Sequence, residues 1–356
     1  MRILKHQDLK DLVDGSAIFS AGGGGDPEAG YRIADGLFSQ ASIVKLVTPS
    51  EVPKEARIVN FASVGATTSI EHDSKAAVKT LTTLEDYVGF SAFATIPVEL
   101  GGFNTLVAVD VAGRKSIPVV DADGAGRSVP EVHLKVYTID SISLTPMVVA
   151  DLHARNIVII KETLDSRAAE RIVRTLSAEW NQSAYTARRI LTGIQVKKSP
   201  IQLSLSKSMR IGKLLRTAVE PVKTILRETG GSKLFEGVAD SVERKTESGF
   251  TFTRIKLRGT REFAGSEFKF DAKNEILVAY RNGKLAAIAP DIITPIHPET
   301  GKCITAEKIG KGNKVAILGL PAPKKWRTIK GLELWRDTLQ RSNIFEEYAP
   351  IENLTS

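Results

Sequence analysis

The stretch Ser16–Gln40, SAIFSAGGGGDPEAGYRIADGLFSQ, decides how the chain begins to fold. SAIFSA reads as a short buried strand, the four consecutive glycines as a turn, and PEAGYRIADGLFSQ as a helix. Pro27 stands at a first helical position, and apolar residues follow at helical spacing. A glycine-rich turn between a strand and a helix presents bare N–H groups and the positive end of a helix dipole. The run Gly22, Gly23, Gly24, Gly25 is not a Walker loop, because no Lys-Ser/Thr follows it. It also fails the dinucleotide fingerprint, because Pro27 or Glu28 falls where the last glycine belongs. A close-packed turn needing positive φ explains the glycines as well as substrate approach does. Asp26 and Glu28 argue against a polyphosphate and for a neutral or weakly anionic ligand.

Outward from this unit the pattern repeats. DLKDLVDG before it predicts a helix ended by Gly15. After it come strands SIVKLV and ARIVNFA, helices DSKAAVKTLTTLEDYVG and GGFNTLVAVDVAGRK, and strands SIPVVD and NIVIIK. Such alternation predicts a layered α/β domain with a mainly parallel sheet over residues 1–165. Residues 166–231 read as a mainly helical connecting region: Asp165 caps DSRAAERIVRTLSAEW, and Pro221 kinks or breaks a second helical pattern. Beyond Gly231, period-two segments and an Asn282-Gly283 hairpin signal predict a small antiparallel β-barrel-like domain within residues 232–356. The expected fold class is therefore α/β plus β.

At 356 residues the chain exceeds the usual single-domain size. No apolar run approaches a membrane span, and the start MRILKHQDLK lacks a signal-peptide core, so a cytoplasmic address and no membrane partner are expected. Cys303 is the single cysteine and cannot build a thiolate metal cage or an internal disulfide. The net charge of +8 divides into −5 over residues 1–150, +10 over 151–260 and +3 over 261–356. The basic centre, with Lys197, Lys198, Lys207, Arg210, Lys213 and Arg216, carries no aromatic interleaving, so a solvated face or internal interface is expected ahead of nucleic-acid binding.

Two further segments carry candidate chemistry. In IPVELGGFN, Glu99 follows an apolar strand and precedes Gly101-Gly102 and Asn104, at the sheet edge expected for the first glycine run. A helix-start carboxylate answering the dipole is the structural explanation. In PVVDADGAGRSVPE, Asp121 and Asp123 end a buried strand, with Arg127 and Glu131 close behind. Paired carboxylates there suit general acid–base work or a divalent metal, and Arg127 suits a bidentate carboxylate contact. A pinned Asp-x-Asp-Gly turn is the structural explanation. His133 is the best-placed histidine for such a metal, together with Asp121 and Asp123. His72 sits where it can join a site at a strand end, whereas His153 and His297 read as surface turn residues.

With these segments quoted, the sequence resembles the S-methyl thiohydantoin desulfurase family. The resemblance rests on AGGGGDPEAG, IPVELGGFNTL, IPVVDADGAGRSVPE, LFEGVADSVERKTESGFTF, the long segment NEILVAYRNGKLAAIAP…LGLPAP, and WRTIKGLEL. It implies an N-terminal α/β domain followed by a β-barrel-like domain. It also implies a hydrolase that replaces S-methyl by water on an imidazolinone-type ring, giving a hydantoin and methanethiol. On that reading Asp121, Asp123 or Glu99 is the base, while Arg127 and the Gly22–Gly25 N–H groups stabilise negative charge. Gly101, Gly102, Asn104 and Glu131 complete the expected substrate-binding set. The chain departs from the family pattern at Ala125, where members usually carry Met, and at WRDTLQRSN near the C-terminus. The alternative is a non-catalytic accessory protein for a hydantoinase-type enzyme, which need show no convergence of these residues. The expected partner is a small cyclic amide or thio-amide, with homo-oligomer formation open.

Overall fold

The computed structural model describes residues 1–40, 42–66 and 71–354. In chain order, its first strands are β1 (Arg2–Ile3), β2 (Lys45–Val47), β3 (Arg57–Gly65), β4 (Ala94–Pro97), β5 (Val119–Val120), β6 (Ala122–Asp123), β7 (Met147–Ala150), β8 (Ile157–Ile160), β9 (Ser183–Thr192) and β10 (Ile201–Gln202). Eight of them form one sheet in the order β1-β2-β5-β4-β3-β9-β7-β8. The centre β2-β5-β4-β3 is parallel, as strand–helix alternation demands, and antiparallel strands flank it on both sides. Helices α1 (His6–Ile18), α2 (Pro27–Ser39), α3 (Ser74–Val88), α4 (Asn104–Arg114), α5 (Val136–Ile139), α6 (Ser166–Glu179), α7 (Gly193–Val196), α8 (Ser204–Thr217) and α9 (Pro221–Thr229) accompany them.

Several local signals act as their chemistry requires. Asp26 caps α2 by accepting from the Glu28 N–H at 3.1 Å, with Pro27 in the first turn. Asp165 caps α6 through the Ala168 N–H at 2.7 Å. Pro221 breaks the long helical pattern, because α8 ends at Thr217 and α9 opens on the proline.

SAIFSA is not a strand. Helix α1 runs straight through Gly15 to Ile18, burying Leu9, Leu12, Val13 and Ala17 on the core side. Gly15 stays helical because α8 crosses there in backbone contact: a Cβ on Gly15 would lie 1.7 Å from the Ser208 carbonyl oxygen. Gly212 on α8 answers it, since its Cβ would lie 1.9 Å from the Asp11 carbonyl oxygen. The glycine run therefore joins two helices.

The segment taken as a helical connector also holds β9, which pairs with both β3 and β7. Its residues are buried on both sides, so it shows no alternation, and two adjacent arginines disguise it. The basic centre is partly spent within the fold: Arg210 pairs with Glu228, and Arg216 with Asp11 at 3.0 Å.

The remaining strands are β11 (Ser232–Glu247), β12 (Phe250–Gly259), β13 (Glu267–Lys273), β14 (Glu275–Arg281), β15 (Lys284–Ile288), β16 (Ile292–Ile296) and β17 (Lys314–Leu320), followed by α10 (Ile329–Arg341) and α11 (Ile351–Leu354). They form a seven-stranded antiparallel sheet, order β15-β14-β13-β12-β11-β17-β16, curled into a half-barrel. Phe235, Ile255, Leu257, Phe268 and Phe270 fill it, with Phe235 and Phe268 stacked at 5.1 Å. The turn at Asn282-Gly283 joins β14 to β15, both residues holding positive φ.

The half-barrel is stitched to the α/β part through the glycine run. The Ile276 N–H donates to the Ala21 carbonyl and the Ala306 N–H to the Gly22 carbonyl, each at 2.8 Å. This seam brings the first residue of β14 to the edge of the parallel sheet.

Candidate functional site

The strands β3 and β4 end side by side, and their ends and the chain beyond wall one narrow cleft. Open α/β sheets bind ligands at this edge because neighbouring loops diverge there. Ser63–Gly65 end β3 and Ala66 follows it, Val98 and Glu99 follow β4, and Phe103 and Asn104 open α4. Gly24 and Gly25, the loop Val129–Val132, Lys135, Arg174, Ser183 and Arg188, and Asn274 and Glu275 complete the wall.

The two glycine runs explain each other. A Cβ on Gly24 would sit 2.5 Å from the Gly101 Cα, and Gly24 holds φ +67°. The Gly24 carbonyl accepts from the Phe103 N–H at 3.3 Å and the Asn104 N–H at 3.1 Å. GGGG thus lies backbone against backbone on GG, which only glycines permit. Gly23 meets the half-barrel: its Cβ would fall 2.1 Å from Glu275 Oε1.

Glu99 is held from three sides. Asn104 Nδ2 donates to its Oε1 at 2.8 Å, and the Val129 N–H and Lys135 Nζ donate to Oε2 at 3.3 and 3.2 Å. Asn104 is itself fixed by the Ser63 backbone, accepting from its N–H at 2.9 Å and donating to its carbonyl at 3.1 Å. Burial pushes the Lys135 ammonium down, with Glu99 opposing that effect.

Glu275 is only 3% exposed. Its Oε1 accepts from the Gly24 N–H at 3.2 Å and Ser128 Oγ at 2.7 Å. Its Oε2 is buried without a partner. Burial first, then the negative charge of Glu99, push this carboxyl up to about 7. A carboxyl with a raised midpoint inside a cleft is a candidate for acid–base work.

Of the residues the sequence singled out, the structure brings Gly24, Gly25, Glu99, Asn104 and Glu131 to this cleft. Gly22, Gly23, Gly101 and Gly102 stand behind its wall as packing partners. Asp121, Asp123 and Arg127 are not among the residues that line it, and each makes contacts within the fold, while Asp123 Oδ1 and Arg127 Nη2 stay buried without a partner. Asp121 accepts from the Ser206 N–H at 2.9 Å and from its hydroxyl, capping α8. Asp123 Oδ2 pins the turn by accepting from the Ala125 and Gly126 N–H groups at 2.8 and 2.6 Å, and burial raises its carboxyl to about 6. Arg127 reaches into the half-barrel, donating to the Pro290 and Asp291 carbonyls at 2.6 and 3.0 Å with Trp335 stacked 4.7 Å away.

Glu131 is gripped by Lys273 Nζ at 2.6 Å, Arg341 at 2.7 Å and Thr338 at 3.1 Å. Against the cost of burial, these partners hold its carboxyl down at about 2. Thr338 and Arg341 belong to the divergent segment WRDTLQRSN, so that departure serves a wall residue. Ala125, the other departure, is buried beneath Trp326, whose Nε1 donates to its carbonyl at 2.7 Å.

The expected metal set does not assemble. Among the described residues, no group of three or more His, Cys, Asp or Glu side chains is placed to hold a metal ion. His133 is buried, its Nδ1 3.5 Å from Glu131 Oε2, and it is separated from Asp121 and Asp123. His72 bridges Asp110 Oδ2 at 2.9 Å and the Tyr185 hydroxyl at 3.0 Å.

Sequence reasoning missed Lys135, Arg188 and Glu275. An acid opening the apolar run NEILVAY was the available signal for Glu275. The arginine pair inside TARRILT was the signal for Arg188.

Fold and cleft together define a mixed α/β protein joined to a β half-barrel, with a carboxylate-bearing pocket at the parallel-strand edge. A family model described as S-Me-THD-like, N-terminal domain, matches residues 7–161, and its C-terminal counterpart matches residues 164–336. The chain belongs to this S-Me-THD-like family, which suggests a hydantoin-related role. An X-ray crystal structure of a protein from Chromobacterium violaceum superposes with a TM-score of 0.81 at 22% identity, covering 99% of this chain and 100% of that one. That likeness concerns the fold. No curated protein matches the chain. No helix among the described residues is long and apolar enough to cross a membrane.

Proposed function

We propose that the protein hydrolyses a small S-methyl thiohydantoin-type ring, replacing S-methyl by water to give a hydantoin and methanethiol. The observation that carries this reading is Glu275, a half-barrel carboxyl poised near neutrality in the cleft that also holds Glu99 and Lys135. Glu275 takes a proton from water as the water oxygen bonds to the ring carbon bearing sulfur. The C=N electrons move onto the ring nitrogen, where Lys135 delivers a proton. As the tetrahedral carbon collapses, its hydroxyl proton returns to Lys135, the C–S bond breaks, and methanethiolate leaves with the proton held by Glu275. Glu99 keeps Lys135 oriented and keeps the Glu275 proton affinity high. Convergence of these groups from three separate segments supports an enzyme over an accessory protein, which needs no such cleft.

Screening purified protein against S-methyl thiohydantoins, unsubstituted hydantoins and simple lactams, with methanethiol and ring product quantified, tests the proposal. Methanethiol release stoichiometric with hydantoin is expected. Turnover of lactams alone would overturn it.

A further inference from the structure

The eight-stranded sheet ends at β8, whose four residues Ile157–Ile160 read IVII. On its inner side β8 pairs antiparallel with β7, from Met147↔Ile160 to Ala150↔Ile157. The Asp151 N–H donates to the Asn156 carbonyl at 3.1 Å, so Asn156 and, by alternation, Val158 and Ile160 turn their backbone groups inward. Ile157, Ile159 and Lys161 therefore turn theirs outward, and among the described residues these groups find no backbone partner. An outward row of N–H and C=O groups is a template for another strand.

Monomeric proteins blunt such an edge with a proline, a bulge, an inward charge or a covering helix. Between Ile157 and Ile160 there is no proline and no charge, and the register against β7 runs unbroken. Helix α3 packs over β7 and β9, and α6 over β9 and β3, so both helical layers are centred inside the edge. Ile159 is 41% exposed, and Leu164, just beyond the strand, is 94% exposed. The opposite edge of the sheet, β1, is blunted by being only 2 residues long.

A second copy of the same strand fits this edge, and charge and hydrogen bonding select one register. With Ile159 facing its own counterpart across a two-fold axis, Ile157 stands opposite Lys161 of the second copy. All the outward residues then face outward residues, each such pair exchanging two backbone hydrogen bonds. Side chains stay in phase, since Val158 meets Ile160 on the face that packs against Ala169 and Val173 of α6. Glu162 falls opposite Asn156, and the Lys161 stem lies along Ile157 with its ammonium in solvent. Moving the axis to Val158 leaves Lys161 without an outward partner and sets it opposite Arg155, like charge against like.

We infer that β8 joins two copies of this chain edge to edge, about a two-fold axis at Ile159, into one continuous sheet. Closed two-fold pairing is the commonest way a chain meets its own copy. No residue of β8 lines the cleft, so the inference stands apart from the hydrolysis reading.

Sedimentation equilibrium of the 356-residue chain over a dilution series tests it. Wild type is expected as a dimer at the higher concentrations. Ile159→Lys sets two ammonium groups on the axis at a position already exposed to solvent. Its dimer Kd should rise about 100-fold or more, with an unchanged circular dichroism spectrum. Cysteine variants fix the register. Opposite residues of a hydrogen-bonded pair have Cα atoms about 5.5 Å apart, within disulfide reach, so oxidised Ile159→Cys should give a covalent dimer that wild type does not. Val158→Cys places its two Cα atoms about 8 Å apart and should stay unlinked. A chain that is monomeric at every concentration overturns the inference. So does a dimer that Ile159→Lys leaves intact, or one that Ile159→Cys fails to cross-link.

Discussion

Replacing Glu99 by Gln probes the electrostatics of the cleft without changing side-chain size. Glu275 stands at about 7 instead of 4.5, and Glu99 is the second cause of that rise after burial. Removing the Glu99 charge relieves repulsion of the ionised form. It also leaves the Lys135 charge unpaired, which favours ionisation further, so both effects lower the Glu275 midpoint. If they account for somewhat under half of the rise, the midpoint falls to about 6. A base with a midpoint of 7 is about one-tenth ionised at pH 6, and one with a midpoint of 6 about one-half ionised. The ratio of kcat/KM at pH 6 to that at pH 8 should therefore rise from about 0.1 in wild type to about 0.5 in Glu99→Gln. Methanethiol release read with a thiol reagent gives the ratio, which is insensitive to any uniform loss of rate. A ratio that stays near 0.1, or drops, would refute the coupling.

Further outcomes follow from the same geometry. Because the folded-state midpoint of Glu275 is raised, ionising it costs stability as pH rises from about 4.5 to about 7. Glu275→Gln should thus stabilise the protein by about 2 kcal/mol more at pH 8 than at pH 5 in urea titrations; equal gains would contradict a buried, raised carboxyl. Gly24→Ala places a Cβ 2.5 Å from the Gly101 Cα at φ +67°, and about 3 kcal/mol or more of folding free energy should be lost. A denaturation midpoint matching wild type would mean that the two glycine runs do not pack as described. Asp123→Asn weakens the paired acceptor of the Ala125–Gly126 turn, so about 1–2 kcal/mol of stability should go while KM is unchanged. Loss of turnover with unchanged stability would return Asp123 to the chemistry.

The architecture was largely legible because it is written in local chemistry. Pro27, Asp165, Pro221 and Asn282-Gly283 each carry a stereochemical instruction that a single sequence displays. SAIFSA was misread because a six-residue apolar run has no period of its own, and what keeps Gly15 helical is α8, far along the chain. Strand β9 was hidden because a strand buried on both sides does not alternate. The site was legible where it follows a strand end, as with Glu99 and Asn104. Asp121 and Arg127 carry the same residue types, but their partners on α8 and the half-barrel are remote in sequence, and Asp123 closes its own turn on the Ala125 and Gly126 N–H groups. Glu275 and Arg188 reach the cleft only through the half-barrel seam and the register shift of β9 against β3, and neither is marked by a short motif.

Single-turnover hydrolysis of an S-methyl thiohydantoin by wild type and Glu275→Gln, followed by methanethiol release at pH 8, tests the central assignment most directly. A base in contact with the attacking water predicts a fall of about 100- to 10,000-fold in the chemical step for the folded variant. A Glu275→Gln protein that releases methanethiol at the wild-type rate would contradict it.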